Sequence, residues 1–348
     1  MLLPALLIVA LGSLIISSLM PAALTGQFIA LVIGLLLFWL FSRLNLVFHR
    51  SLAIHYYIFS LLILLATFLF GQITRGSIRW LNIGGVSFQP SEIVKPFLIL
   101  SFGFLVQRWP PKTFKNLLIL FSLFLLPWFL IWQQPDLGSS MVILFIWLAI
   151  IFMAGLPRRF LVLGALSLLI IFPLAGRVLK DYQKQRLAIF FNPSSDPLGQ
   201  GYHTLQALIT VGSGQFSGRG VGKGSQVQLR FLPERQTDFI FASYAEELGF
   251  FGCLILLCLY VWLLVSLLKT IQGQQNPAAV LIGTGCFAAL FFQTGVNLAI
   301  NLGLLPVSGI TLPFFSVGGS SLVTGWIILG IAQNLKSEIK NTSLLEIK

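Results

Sequence analysis

The sequence predicts an all-α, polytopic membrane protein with ten transmembrane helices, cytoplasmic N- and C-termini and one large extracytoplasmic loop. Composition is the first reason: of 348 residues, 57% are hydrophobic and only 9% charged, where a soluble domain carries about a quarter charged residues. The second is length, because a bilayer core needs roughly 20 apolar residues of helix and ten uncharged stretches approach that. The third is the placement of charge, which gives every connection a side.

The spans are expected near 2–20, 27–42, 52–71, 92–107, 117–132, 139–155, 160–176, 240–268, 277–300 and 306–334. The first lacks a basic n-region and a small-residue cleavage site, so it reads as a retained span rather than a signal peptide. With the N-terminus inside, short inner connections carry Arg43, Arg50, Arg108, Lys112, Lys115, Arg158, Arg159 and Lys269, and short outer ones only Arg75 and Arg79. That asymmetry sets the orientation. The long loop near 177–237 then lies outside, where its eight basic residues are no objection because long loops translocate regardless of charge. Acidic residues sort the other way: Glu92, Asp136, Asp181, Asp196, Glu234, Asp238, Glu246 and Glu247 fall at or near the outer face, with Glu246 and Glu247 expected at the interface. Acid–base chemistry is therefore expected outside. No repeat or linker divides the chain, so 1–348 reads as one membrane domain.

A formal charge of +12 would point to nucleic acid in a soluble domain, but these basic residues are scattered among loops between spans. Nucleic acid is set aside in favour of membrane lipid headgroups or a phosphorylated lipid substrate. Cys253, Cys258 and Cys286 sit in apolar runs without zinc or disulfide spacing, and His49, His55 and His203 lack metal-ligand spacing.

Four segments can carry chemistry. In Gln89-Pro-Ser-Glu-Ile-Val-Lys95, Pro90 suits a first helical turn, Glu92 meets the positive end of the helix dipole, and Lys95 lies three residues on, able to pair with it. A helix-end carboxylate with a snorkelling lysine is the plainer reading; an ionisable pair at membrane depth more often serves function. The glycine-dense run Gly212–Gly224, with Arg219 and Lys223, can expose backbone N–H groups to phosphate. The nucleotide P-loop pattern fails there, because Gly224 follows Lys223 and Ser217 stands where the first glycine belongs; a flexible surface loop is the alternative. Asp238 stands just before the eighth span, where a helix cap competes with a catalytic role. Gln293, Asn297 and Asn301 recur every fourth residue on one helical face, as interhelical hydrogen-bonding groups or as the lining of a polar cavity with Ser320.

In combination, Arg79-Trp80, Gln89-Pro-Ser-Glu-Ile-Val-Lys95, Gln134-Pro-Asp-Leu-Gly138, Asp196-Pro-Leu-Gly199, Leu232-Pro-Glu-Arg-Gln-Thr-Asp-Phe-Ile-Phe241 and Pro313-Phe-Phe-Ser-Val-Gly-Gly-Ser-Ser321 resemble the shape, elongation, division and sporulation (RodA/FtsW) family, in order, from Met1 to about Asn334. Asp181-Tyr-Gln-Lys-Gln-Arg186 and Pro233-Glu-Arg-Gln-Thr-Asp238 look more like its elongation branch. A departure is Pro21-Ala-Ala-Leu-Thr-Gly-Gln27, which lacks the basic residue that members often carry before that glutamine.

The resemblance implies a peptidoglycan glycosyltransferase in the bacterial cytoplasmic membrane that polymerises lipid II, an undecaprenyl-pyrophosphate disaccharide-pentapeptide, in support of cell elongation and shape. It implies Asp238 as the base, Glu92 and Lys95 as residues shaping the site, and Arg79, Arg219, Lys223, Arg230 and Arg235 as pyrophosphate-binding candidates. No organic cofactor is implied; a divalent cation, Mg2+ or Mn2+, can share the phosphates with the carboxylates, although no spacing demands one. A class B penicillin-binding protein would be the transpeptidase partner. The alternative of another class is a carrier that flips lipid II, for which repeated halves and midplane ionisable residues would be expected; the sequence shows neither.

Overall fold

The computed structural model describes residues 1–74, 77–84, 86–160, 162, 184, 188–192, 196 and 199–345. Along the chain these form α1 (Leu2–Leu19), α2 (Ala23–Arg43), α3 (Leu46–Ser51), α4 (Ala53–Phe70), β1 (Gln72–Thr74), β2 (Ser77–Ile83), β3 (Val86–Phe88), α5 (Pro90–Arg108), α6 (Phe114–Gln133), α7 (Leu137–Met153), α8 (Gln200–Ser213), α9 (Ser225–Gln228), α10 (Ile240–Gln272), α11 (Pro277–Asn301) and α12 (Gly319–Leu345). Among the described residues, α1, α2, α4, α6, α10 and α11 are long and apolar enough to cross a membrane, and α7 is a shorter apolar helix. The chain is a helical, multi-pass membrane protein. The span expected at 160–176 lies outside the described residues apart from Phe160 and Val162.

α5 is the central helix. It is buried on every side, from Pro90 to Val106, and packs on α4, α7, α11 and α12. Helices apolar all round belong in such a position, and this one carries Glu92 and Lys95 in with it. α2 lies along α12 so closely that a Cβ on Gly34 would come within 2.4 Å of Trp326, a use of small residues common between membrane helices.

Three segments depart from expectation. Residues 72–88, read as a plain connection, make an antiparallel sheet in the order β1-β2-β3, with Leu81 opposite Phe88 and Ile83 opposite Val86. The last span was expected from 306, but α12 starts only at Gly319, and 306–318 is irregular. Pro306 and Pro313 supply no N–H, and Gly303 and Gly309 take positive φ, so helix is interrupted. Irregular backbone survives at membrane depth only when protein satisfies it: Asn297 donates to Ile310 O at 2.7 Å, and Val317 N donates to Gln236 O at 2.9 Å.

The third departure is in α10, which breaks at Gly249 (φ 66, ψ −164). Before the break every residue from Ile240 to Glu247 is buried within the protein; after it, Phe250, Phe251, Leu254 and Ile255 are exposed. Glu246 and Glu247, expected at the interface, are thus enclosed by protein rather than open to solvent or headgroups. Both are fully buried: Glu246 accepts from Gln226 N (2.9 Å) and Val227 N (3.0 Å), and Glu247 accepts from Ser18 Oγ (2.7 Å). The loop 214–235 folds over the first two turns of α10 and covers them.

Candidate active site

At one end of the bundle, hydrogen bonds join the start of α5 to the start of α12 (Gln89 N to Ser320 Oγ, 3.0 Å), the start of α2 to 316 (Gln27 Nε2 to Ser316 O, 3.3 Å) and the start of α10 to the end of α11. A cavity of about 380 Å3 opens there, lined by residues that include Arg79, Glu92, Glu234, Gln236, Asp238, Thr311 and Ser320. Its volume falls within the range usual for small-molecule sites, roughly 300–1,000 Å3.

Each wall follows from local sequence. β2 presents Arg79 on the same face as Leu81, whose side chain is buried. Pro90 begins α5 and sets Glu92 in its first turn. Glu92 Oε1 accepts from Lys95 Nζ at 2.5 Å with both side chains buried; the other carboxylate oxygen, Oε2, is buried with no hydrogen-bond partner among the described residues. The pair is therefore half-satisfied, and its open oxygen belongs to a residue that lines the cavity.

Asp136 braces this wall. Buried at the N-cap of α7, it accepts Ser139 N through Oδ1 (3.1 Å) and both Gln89 Nε2 and Ser91 Oγ through Oδ2 (2.8 Å each). One carboxylate thus ties the mouth of α7 to the start of α5.

Asp238 lies in the turn before α10, and its carboxylate faces Gly309 across the cavity. The N-cap of α10 is Phe239, which makes no side-chain cap bond. The backbone of Asp238 is fixed from behind: its carbonyl accepts Asn297 Nδ2 (3.0 Å) and Asn301 Nδ2 (2.9 Å), while Asn301 Oδ1 accepts Ala242 N (2.9 Å). Asn297 also holds Ile310 O, so α11 clamps both sides of the cavity at once. Glu234, at φ 48, accepts Thr237 Oγ1 through Oε2 (3.1 Å), and Ser316 Oγ donates to Thr237 O (2.7 Å). A bulky residue held at positive φ in a cavity wall is costly and is found where the surroundings over-determine it.

The expected residues thus divide. Asp238, Glu92, Arg79 and Ser320 meet at the cavity, with Lys95 directly behind Glu92. Gln293, Asn297 and Asn301 are buried in α11 off the lining, and the two asparagines serve as hydrogen-bonding groups between segments. Arg219, Lys223, Arg230 and Arg235 do not line the cavity. Arg235 donates to Val227 O and to Leu19 O (3.3 Å), and burial, with Arg230 nearby, pushes its pKa below the ordinary value. The glycine run offers no phosphate nest at residues 218–220 and 223: Gly218 N, Arg219 N, Gly220 N and Lys223 N donate to Gly214 O, Glu246 O, Glu247 O and Gly220 O.

Gln89, Gln236, Thr237, Thr311 and Ser321 also line the cavity and were not assigned a role from sequence. They lie inside the motif segments, but neutral polar types give no signal of their own. His203, stacked on Phe239 at 6.4 Å, is held below its usual pKa by burial, against the pull of Glu234 and Asp196.

Such a cavity brings together a carboxylate able to take a proton, a guanidinium able to meet phosphate and a lining of amides and hydroxyls suited to sugar. A family model described as cell cycle protein (FtsW, RodA, SpoVE) matches residues 2–341. The peptidoglycan glycosyltransferase MrdB of Escherichia coli strain K12 is 36% identical over 350 residues, covering 98% of this chain and 95% of that protein. A solved chain from a study titled as the structural coordination of polymerization and crosslinking by a peptidoglycan synthase complex is 33% identical, with TM-score 0.85 and 97% of each chain covered. The crystal structure of a mutant of the Thermus thermophilus rod shape determining protein RodA, with one aspartate replaced by alanine, is 30% identical at TM-score 0.74, covering 97% of this chain and 96% of that one.

Proposed function

The chain belongs to the cell cycle protein family of FtsW, RodA and SpoVE, and from that premise we propose that it is a peptidoglycan glycosyltransferase whose substrate is lipid II. The observation that carries the chemistry is the meeting of Asp238, Arg79 and Glu92 in one cavity. The membrane is the bacterial cytoplasmic membrane, and the cavity opens at its outer face. Arg43, Arg50, Arg108 and Lys269 support that orientation, since they end or follow helices at the opposite end of the bundle.

In the reaction the acceptor sugar's 4-hydroxyl attacks the donor's anomeric carbon, and the bond from that carbon to the lipid pyrophosphate breaks. Asp238 takes the hydroxyl proton as the new glycosidic bond forms. Arg79, the basic residue on the cavity lining among the described residues, faces the charge that grows on the departing pyrophosphate. Asn297 and Asn301 keep the Asp238 backbone still, so the carboxylate meets the hydroxyl in one geometry.

No group of three or more His, Cys, Asp or Glu suited to a metal occurs among the described residues. A Mg2+ or Mn2+ ion held by one or two carboxylates and substrate phosphates needs no such group. Asp238 and Glu234 fit that role, in which the ion would neutralise phosphate charge. Peptide cross-linking would fall to a class B penicillin-binding protein partner.

The test is purified chain with labelled lipid II, alone and with its partner, scored for glycan polymer. Asp238→Asn keeps shape but cannot take a proton, so polymer should fall by the ~10²–10⁴-fold typical of losing a general base, with melting temperature near that of the parent. A folded Asp238→Asn protein with parental polymerisation would remove Asp238 from the mechanism.

A further inference from the structure

We propose that the glycine-rich loop 214–224, with Arg230 beyond it, is a membrane-surface site that binds the anionic headgroup of a phospholipid in the leaflet next to the cavity. The first support is depth. α10 leaves its protein cover at Gly249, and from Phe250 one face of it is exposed as far as Lys269, 19 residues on, while Gly252, Leu256, Tyr260, Leu263 and Leu267 keep the other face against protein; at 1.5 Å per residue that is about 29 Å, the thickness of a hydrocarbon core. Gly249 therefore stands at one edge of the hydrocarbon.

The loop is locked to that edge. Phe250 N and Phe251 N donate to Gln215 O (2.9 Å) and Phe216 O (3.2 Å), and Arg219 N and Gly220 N donate to Glu246 O and Glu247 O (2.9 Å each). The approach is close enough to require glycine on both sides, since a Cβ on Gly218 would lie 2.2 Å from Glu247 O and one on Gly249 2.2 Å from Gly218 N. The level of residues 215–220 in the bilayer is thus set by the kink.

The surface chemistry at this level has two halves. Phe216, 71% exposed, stands against Phe250 and Phe251 at ring-centroid distances of 6.1 and 6.5 Å, and those two are 54% and 60% exposed. An open cluster of three aromatic rings is a liability in water and at home in an interface. Arg219 and Lys223 are exposed on the same loop, and Arg230 stands between exposed Leu229 and Phe231, in the segment whose Val227 N is held by Glu246. Rings at the hydrocarbon edge with cations just beyond them match the order of acyl chain and phosphate in a phospholipid. Among the described residues these three cations make no salt bridge and lie off the cavity lining.

Two measurements on the purified full-length chain test this. A nitroxide at Phe216→Cys, in a variant lacking the three native cysteines, should in phosphatidylglycerol vesicles collide with oxygen in preference to a water-soluble nickel chelate. In native mass spectrometry the chain should retain phosphatidylglycerol, with affinity falling about fivefold for each charge removed across Arg219→Gln, Lys223→Gln and Arg230→Gln. Inorganic phosphate at millimolar concentration should not displace it, because the rings hold the other half of the lipid. A nickel-accessible label, equal retention by the triple variant, or displacement by inorganic phosphate would each overturn the proposal. Neither readout involves turnover, so it fails or stands separately from the reading of Asp238.

Discussion

The Asp238 backbone is held by residues that lie off the cavity lining. Asn301 holds two partners, the Asp238 carbonyl and Ala242 N, so Asn301→Leu leaves Ala242 N buried and unpaired and the Asp238 carbonyl with Asn297 alone. The orphaned amide costs roughly 1–3 kcal/mol. We expect a lower melting temperature and, in variants rescued by low-temperature assay, a loss in kcat larger than any change in KM; equal loss in both would assign Asn301 to stability alone. Lys95 and Glu92 offer a second residue-scale test. Lys95→Ala should strand a buried carboxylate, and the double alanine variant should be less damaged than the two single losses summed; strict additivity in thermal stability would dissolve the pair. His49 is buried, stacks on Phe41 at 5.8 Å and sits 3.0 Å from the Tyr56 hydroxyl, and burial lowers its pKa to about 4. Its folded pKa lies below the unfolded value of about 6.5, so between the two the unfolded chain binds more protons. Stability from this group is full above pH 6.5 and is lost as pH falls toward 4. The melting temperature of wild type should therefore drop more steeply from pH 7 to pH 4.5 than that of His49→Phe, and parallel slopes would refute it. At this scale the sequence singled out the ionisable groups that are costly near a membrane, Glu92 and Lys95 among them, and left their plainer structural readings open. It could not rank the neutral residues beside them, because Gln236 or Thr311 owes its role wholly to what folds opposite.

Among the elements, the break in α10 is the most consequential. Gly249 is required twice, by its φ of 66 and by the approach of Gly218 N. Gly249→Ala meets both penalties, and we expect it to free the loop 214–224 from α10, seen as earlier proteolytic cleavage within that loop. Unchanged cleavage kinetics would mean that the loop is held elsewhere. The glycine-rich segment was legible in the sequence as unusual but not as a clamp, since glycine density signals close approach without saying to what. The apolar run that hid the break reads as one long span. Likewise, 306–334 reads as a span, and only the hydrogen bonds from Asn297 to Ile310 O and from Val317 N to Gln236 O show how an irregular 306–318 is kept inside.

For the molecule as a whole, the charge asymmetry makes a prediction independent of the site. In a variant lacking the native cysteines, Ser225→Cys should label with an impermeant thiol reagent in intact cells and Thr113→Cys should not. Labelling only at 113 would invert the chain and place the cavity in the cytoplasm. Most spans, their order and their expected orientation were readable because lipid imposes one demand on every residue it touches: be apolar, and satisfy the backbone locally. That demand acts along the chain and leaves its mark in composition. Segment Leu232–Phe241 likewise pointed to Asp238, though only through resemblance. The tertiary structure alone decided that Arg79 on a strand, Glu92 on α5, Asp238 before α10 and Ser320 on α12 share one cavity, and that Arg219 and Lys223 do not. Contacts such as that between Gln27 and Ser316, 289 positions apart, arise from packing and hydrogen bonds across helices, and no local pattern records which distant partner will fill each place.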